Sequence, residues 1–402
     1  MTDIDTAIDT RAMQAERGSR LRTTMDSLDL DAVLLRYGPN VDYASGLPTP
    51  IADSSHIASD PSAVLVIASD PVPHVFSDSG AIPIDIDSDH LHPPLNIAGD
   101  DAADRLWDAI RSCVGDARIS LGVDELTAAL ACNLGGLQRH TDLTGAATVM
   151  AIARSCKNSH EVACIEKAET INEQAAADIR DLLIPGARHN HVAAEFVSRA
   201  RALGADGNVI DPIFHPVRPR LNEGPFTSNG EPAFPLPGSD YILADGDVCW
   251  VDTGILVHGY ASDFGRTWIV SDDPQPTVDQ YAEFEQWRGV VERVLEKVGP
   301  GTTGAELMEA AGHVHGRRPV LNHFYLIHGI GLESAEMPLI GTDLGPEMDS
   351  MMILEPGMVL VLEPVIWSDG SGGYRSEDIV LVTEDGYRKL SGDDYWPFRS
   401  AS

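Results

Sequence analysis

The chain has 402 residues and 43 % hydrophobic content, room for two or three domains with full cores. It carries 62 Asp and Glu against 28 Lys and Arg, a formal net charge of −34. That balance argues against nucleic acid or an anionic membrane as partner, because phosphate is contacted through Lys and Arg. The opening stretch "MTDIDTAIDTRAMQAERGSR" is acidic and polar, unlike a secretory signal. No apolar run approaches the roughly 18 residues of a membrane span.

In chain order, "RLRTTMDSLDL" reads as helix, and "DAVLLRY" and "SAVLVIASD" as strands. "DAADRLWDAIRSCVG" is helical, "ISLGVD" a strand, and "ELTAALACNLGGL" helical. This alternation predicts a smaller α/β domain with a mixed sheet over residues 1–152. No GxGxxG follows a strand and no P-loop occurs, so nucleotide binding has no support. Cys113, Cys132, Cys156, Cys164 and Cys249 are odd in number and form no CxxC. That pattern argues against a disulfide framework and for a reduced, cytoplasmic setting.

Residues 153–402 read as α+β. "KNSHEVACIEKAETINEQAAADIRDLLIPG" is a long amphipathic helix, with Asn158 and Glu161 as a capping box and Pro185-Gly186 as its stop. A second helix is predicted over His191–Leu203, and Thr277 with Gln280 and Thr303 with Glu306 mark two more starts. Strand-rich segments at 207–270 and 320–390 predict an antiparallel sheet backed by these helices. The Pro- and Gly-rich segment 211–240 is too apolar for a linker and suits a structured loop at the rim of a site.

Two hairpins carry acidic residues where apolar ones belong. In "GDVCWVDTGILVHGYASDFGRTWIV", a turn centred near Val257–His258 would set Asp252 opposite Asp263. In "GMVLVLEPVIWSDGSGGYRSEDIVLVTEDG", a turn centred near Gly370 sets Glu363 opposite Glu377. A lone strand Asp is usually a turn cap or a surface residue. Like charges face to face in apolar strands are costly, and a shared cation explains both pairs at once. "HGIGLESAEMP" adds one imidazole, His328, between glycines that let the backbone pass close by. Four carboxylates and one imidazole suit two divalent ions of the Mn, Co, Fe or Zn type.

Asp252, Asp263, His328, Glu363 and Glu377, in this order, resemble the pita-bread metallopeptidases, the superfamily of methionine aminopeptidase, aminopeptidase P, prolidase and creatinase. The 11-residue Asp–Asp spacing, "HGIGL", "LEPGMVLVLEP" and "GGYRSED" carry the resemblance. "LDLDAVLLRYGPNVDYASGLP" resembles the start of a creatinase-type N-terminal domain, and "ARSCKNSHEVACIEKA" the start of the catalytic one. The resemblance implies an α+β pita-bread domain over 153–402 preceded by a creatinase-like α/β domain over 1–152. It implies a dinuclear hydrolase of Xaa-Pro dipeptidase or aminopeptidase type, using a metal-bridged water on a short peptide or other small molecule, and working as a homodimer. Asp263 and Glu377 would bridge two metal ions, Asp252 would complete one, and His328 with Glu363 the other. Glu363 would also accept the proton of the water, and Arg375 would orient a carboxylate.

The sequence departs from the peptidase pattern at two places. Ala335 and Leu236 stand where peptidases carry histidines that contact the peptide and the tetrahedral intermediate. Glu333, Ser334, Glu336 and His215 are the nearby groups that could substitute. The alternative reading is a non-peptidase of the same fold, similar to the dimethylsulfoniopropionate lyases or to ectoine hydrolase. A metal-binding scaffold without catalysis is the third.

Overall fold

The structure is a computed structural model that describes residues 8–48, 62–78, 85–95, 97, 99–214, 216–217, 240–271, 276–321, 324–367 and 372–397. Two compact units are present. One runs from the first described residues to Arg154 and includes Asn158–His160; the other holds Ser155–Lys157 and everything from Glu161 onward.

The first unit opens with α1 (Thr10–Ser27), capped by Asp9, whose carboxylate accepts from the backbone N–H of Arg11 and Ala12. There follow β1 (Ala32–Leu35), α2 (Gly38–Ser45), β2 (Ala63–Ile67), β3 (His74–Phe76), a 3-10 turn (Ser88–His90) and β4 (Leu91–His92). Then come α3 (Ala102–Val114), β5 (Ile119–Val123), α4 (Ala128–Cys132), α5 (Leu134–Gln138), β6 (Thr141–Gly145) and α6 (Ala147–Ser155). The helix expected over "ELTAALACNLGGL" is two short ones. Asn133 breaks it by turning its amide back onto the Ala129 carbonyl, and two glycines follow. The sheet is mixed, in the order β4-β3-β2-β1-β5-β6, with β1 antiparallel to β2 and parallel to β5. The all-apolar run of β1 is buried throughout, as a central strand requires. Its Leu34 packs with Leu106, Trp107 and Ile110, the helical-period face of α3.

The second unit holds α7 (Ser159–Ile179) from Glu161 onward, and α8 (His189–Leu203). Asn158 caps α7 by accepting from the His160 N–H, and α7 gives way to a 3-10 turn at Arg180, short of the predicted Pro185-Gly186 stop. Next come β7 (Gly207–Asn208), β8 (Pro216–Val217), β9 (Val248–Thr253), β10 (Ile255–Val257), β11 (Tyr260–Ala261) and β12 (Phe264–Ile269). α9 (Val278–Leu295) and α10 (Gly304–Ala311) begin at the two starts expected, each closed by a capping box, Thr277 with Gln280 and Thr303 with Glu306. After them lie β13 (Ile327–Gly329), β14 (Glu336–Ile340), α11 (Pro346–Met351), β15 (Val359–Leu362), β16 (Val365–Ile366), β17 (Tyr374–Arg375), β18 (Asp378–Thr383) and β19 (Gly386–Lys389).

Every strand pair of this unit is antiparallel among the described residues, in sheets β12-β9-β8, β11-β10-β7, β14-β13-β15-β18-β19 and β16-β17. Each helix pair has its own core. Ala175 of α7 and Phe196 of α8 pack with Val251 of β9, while Trp287 of α9 and Leu307 of α10 pack with Ile327, Leu360 and Val380. The acidic strand ends lie along these two cores. Leu236 and His215 fall outside the described residues, as does most of the expected rim loop. Among the described residues no helix is long and apolar enough to cross a membrane.

Candidate metal centre

The first hairpin is built around His258-Gly259. Both residues have positive φ, 50° and 80°, the combination a tight hairpin turn matching the strand twist demands. Val257 therefore pairs with Tyr260, and in continuation Thr253 pairs with Phe264 and Asp252 with Gly265. The expected opposition of Asp252 and Asp263 is wrong by two residues, because the turn centre lies one residue later than the pattern suggested. Asp263 still shares a face with position 265, since strand side chains alternate with period two. Gly265 is emptied for a reason: a Cβ there would overlap the Glu377 carboxyl.

Helix α7 clamps this hairpin. The Asn172 amide donates to the Thr253 carbonyl at 2.7 Å and to the Ser262 hydroxyl at 2.9 Å, and its oxygen accepts from the Thr253 hydroxyl at 2.8 Å. Thr253 follows Asp252 and Ser262 precedes Asp263, so one fully buried amide fixes the backbone beside both aspartates.

The second set comes from the five-stranded sheet. His328 on β13 pairs with Val361 of β15. Leu362 pairs with Asp378 and Val365 with Arg375, which brackets Glu363 opposite Glu377. Asp252, Asp263, His328, Glu363, Arg375 and Glu377 are all buried.

The side chains converge as two overlapping triads. Asp252, Asp263 and Glu377 each offer an oxygen within 4.8 Å of the others. His328 Nε2 stands 3.3 Å from Asp263 Oδ2 and 3.5 Å from Glu363 Oε1. Asp263 belongs to both. Arg375 is not a surface strand arginine: Nη1 meets Asp252 Oδ2 at 2.8 Å, Nη2 meets Glu363 Oε2 at 2.7 Å, and the guanidinium also lies against Glu377.

Electrostatics say what is missing. His328 Nδ1 is 2.9 Å from the Gly329 carbonyl, which can only accept, so Nδ1 carries the proton and the Nε2 lone pair faces two carboxylates. Burial holds the imidazole below its ordinary range, against the pull of Glu363. Burial also raises Asp263, reinforced by Asp252 and Glu363, and raises Glu363 and Glu377 against the pull of Arg375. Burial opposes the Arg375 charge as well, but Glu377, Asp252 and Glu363 together hold it on the guanidinium. Four carboxylates less one guanidinium leave three negative charges without a counter-charge. Glu377 Oε1 is held by Arg375, but Asp252 Oδ1 and Glu377 Oε2 have no hydrogen-bond donor among the described residues. An unprotonated imidazole nitrogen and orphaned carboxylate oxygens, all aimed inward, fit divalent cations with oxygen and nitrogen ligands.

Tyr325 and Glu169 escaped the sequence reading, whereas Glu333, Ser334, Ala335 and Glu336 were singled out by it. Tyr325 packs against the His328 ring at a tilt of 54°, centroids 4.8 Å apart, and burial together with Glu363 and Asp263 holds its phenol protonated. Glu336 is engaged in a buried ion pair with Lys157 at 2.7 Å and fills the space a Gly331 side chain would need. It braces the "HGIGL" turn. Ala335, Glu333 and Ser334 are half-buried beside it. Glu169 on α7 is fully buried, neither oxygen has a hydrogen-bond partner among the described residues, and it feels the charges of Asp263 and Glu377. The buried period of α7, through Ile165, Ala168 and Asn172, was the signal that could have found it.

The family model for metallopeptidase family M24 matches residues 163–384, more than half of the chain. The chain is similar to the Xaa-Pro dipeptidase of Pyrococcus horikoshii, 26% identical over 381 residues that span 94% of this chain and 97% of that protein. It is also similar to the Xaa-Pro dipeptidase of Pyrococcus furiosus, 31% identical over 241 residues, 59% of this chain and 63% of that one. Among solved structures, the prolidase from Pyrococcus horikoshii OT3 superposes with a TM-score of 0.70 at 24% identity, covering 94% of this chain and 99% of that one. Dipeptidase PepE from Mycobacterium ulcerans superposes with a TM-score of 0.73 at 23% identity, covering 97% and 99%.

Proposed function

The chain belongs to metallopeptidase family M24 and has its pita-bread fold, and on that premise we propose that it is a dinuclear hydrolase of short Xaa-Pro peptides. The observation that carries the reading is the double triad sharing Asp263, in which a lone-pair nitrogen and orphaned carboxylates face one another in a buried space. Asp252, Asp263 and Glu377 would hold one divalent ion, and Asp263, His328, Glu363 and Glu377 the other, with manganese, cobalt, zinc and iron all suited to the ligand types. When bound, the ions supply Lewis-acid chemistry, lowering the pKa of water and polarising the scissile carbonyl.

The protein's own residues do the rest. Glu363 Oε2 is tied to Arg375, which leaves Oε1 to take the proton of the attacking water and return it to the departing proline nitrogen. Arg375 fixes the Glu363 and Asp252 carboxylates in register, as a planar fork does and a lysine does not. Residues 1–152 serve as the creatinase-like domain and 153–402 as the catalytic one, and the enzyme acts as a cytoplasmic homodimer.

The test is turnover by the purified chain with added Mn²⁺ or Co²⁺. Xaa-Pro dipeptides are offered beside dimethylsulfoniopropionate and small cyclic amides. Hydrolysis of the dipeptides is expected; turnover of the non-peptides alone overturns the proposal. Asp263→Ala, which removes the shared ligand, is expected to lose metal and more than about 100-fold of activity, since even outer-shell partners are worth about 10–100-fold. Full activity in that variant contradicts the assigned role.

A further inference from the structure

The geometry points to a transition-metal site in the first unit, formed by His74 Nδ1, His92 Nε2 and Cys113 Sγ, that takes one zinc-class ion. It shares no residue with the centre described above.

The register of the sheet edge builds it. β3 and β4 are parallel, with Val75 opposite Leu91 and Phe76 opposite His92. Residues in register share a face, and alternate residues of a strand return to it. His74, Phe76 and His92 therefore project together, and the last turn of α3 brings Cys113 to them. His74 Nδ1 lies 2.9 Å from His92 Nε2, and Cys113 Sγ lies 3.9 Å from the same nitrogen. All three ligand atoms fall within 4.8 Å of one another, with His74 buried and the other two half-buried. Around tetrahedral zinc, two imidazole nitrogens stand about 3.3 Å apart and a thiolate sulfur about 3.6 Å from a nitrogen. One nitrogen pair opens slightly, the sulfur closes slightly, and a water completes the set.

The surroundings are those of a ligand set. Phe76 stacks on the His92 ring at 4.6 Å and fixes its plane. Asp70 Oδ2 sits 3.7 Å from His74 Nε2, on the far side of the ring from the ion, where its negative charge favours the tautomer that leaves Nδ1 free to ligate. Asp70 is itself held by His90 Nε2 at 3.3 Å, and His90 Nδ1 by Asp87 at 2.7 Å. Asp70, His74 and His90 also cluster closely enough to hold an ion. There, however, His90 is already bonded between two carboxylates, and that group needs no metal. Two imidazoles and one thiol, with no carboxylate among them, suit zinc rather than calcium or magnesium. On binding, the thiol gives up its proton, which now points to the Ala109 carbonyl at 3.5 Å, and the proton between the two imidazoles moves to an outer nitrogen or to solvent.

The probe is cobalt. The full chain loaded with Co²⁺ is expected to show a near-ultraviolet thiolate-to-cobalt absorption, which the carboxylate and imidazole ligands of the catalytic centre do not produce. Its amplitude should saturate at one ion per chain. Absence of that band in the unmutated protein overturns the proposal without recourse to a variant. Cys113→Ser and, independently, His92→Gln should abolish the band and lower bound zinc by one equivalent, with peptidase activity retained. A band that survives both substitutions belongs to another cysteine and overturns it equally.

Discussion

A carboxylate that nothing solvates is a liability wherever it sits, and Glu169 sits next to other carboxylates. Burial raises it far above its ordinary range, and Glu173, Asp263 and Glu377 add to the effect. The folded chain thus keeps a proton that the unfolded chain releases in the ordinary carboxylate range. The stability linked to this group is fully present below that range and is lost as pH rises through the folded value. In metal-free protein, Glu169→Met should therefore raise stability at pH 8 by about 1–3 kcal/mol, the usual cost of an unsatisfied buried polar group. The gain should shrink toward pH 4. Thermal melts of the chelated proteins across that range decide it, and a pH-independent difference contradicts the account. His328 is the opposite case, a buried imidazole whose Nε2 stands beside Asp263 and Glu363; the sequence singled it out because two glycines and four carboxylates in apolar strands made an imidazole the expected partner.

At the scale of elements, the centre depends on how two hairpins and one helix are set. Asn172→Ala removes three hydrogen bonds and leaves the buried Thr253 hydroxyl and carbonyl without this partner, while Ser262 keeps its bonds with Ile255. A loss of about 2–3 kcal/mol in urea unfolding is expected. A substitution without effect would show that the strands hold Asp252 and Asp263 without α7. Gly265→Ala should leave the strands paired but push Glu377 aside. Metal affinity should fall about 10–100-fold, comparable to loss of an outer-shell partner. Titration calorimetry with Mn²⁺ reads it, and unchanged affinity means the glycine is not needed. The acidic residues were legible because carboxylates do not belong in runs such as "VLVLE". The register of the first hairpin was not, because "LVHGY" offers two turn centres and only the positive φ of His258, an ordinary residue, selects between them. The α7 clamp joins residues 81 apart, and no local pattern announces it.

For the whole molecule the governing quantity is the net charge of −34. Folding draws like charges together, and salt relieves this by shortening the screening length from about 10 Å at 0.1 M to about 3 Å at 1 M. Raising KCl over that interval should increase Tm by at least about 2–4 °C, the shift that 1 kcal/mol produces in units of 150–250 residues. A lower Tm at high salt would mean that attractive surface pairs such as Arg11 with Asp85 outweigh the repulsion. The two-domain layout was legible from the change of pattern near residue 155, whereas the histidine cluster at the β3–β4 edge emerged only when the parallel register, Phe76 opposite His92, set positions 74 and 92 on one face. Gly265 bears on how any chain of this kind is judged. Its contribution is the room that the Glu377 carboxyl occupies, so one added methyl would displace that carboxyl while all five residues proposed as ligands remained. Counting ligands therefore does not establish that a relative still binds metal; the glycine opposite the first aspartate must be inspected as a sixth position.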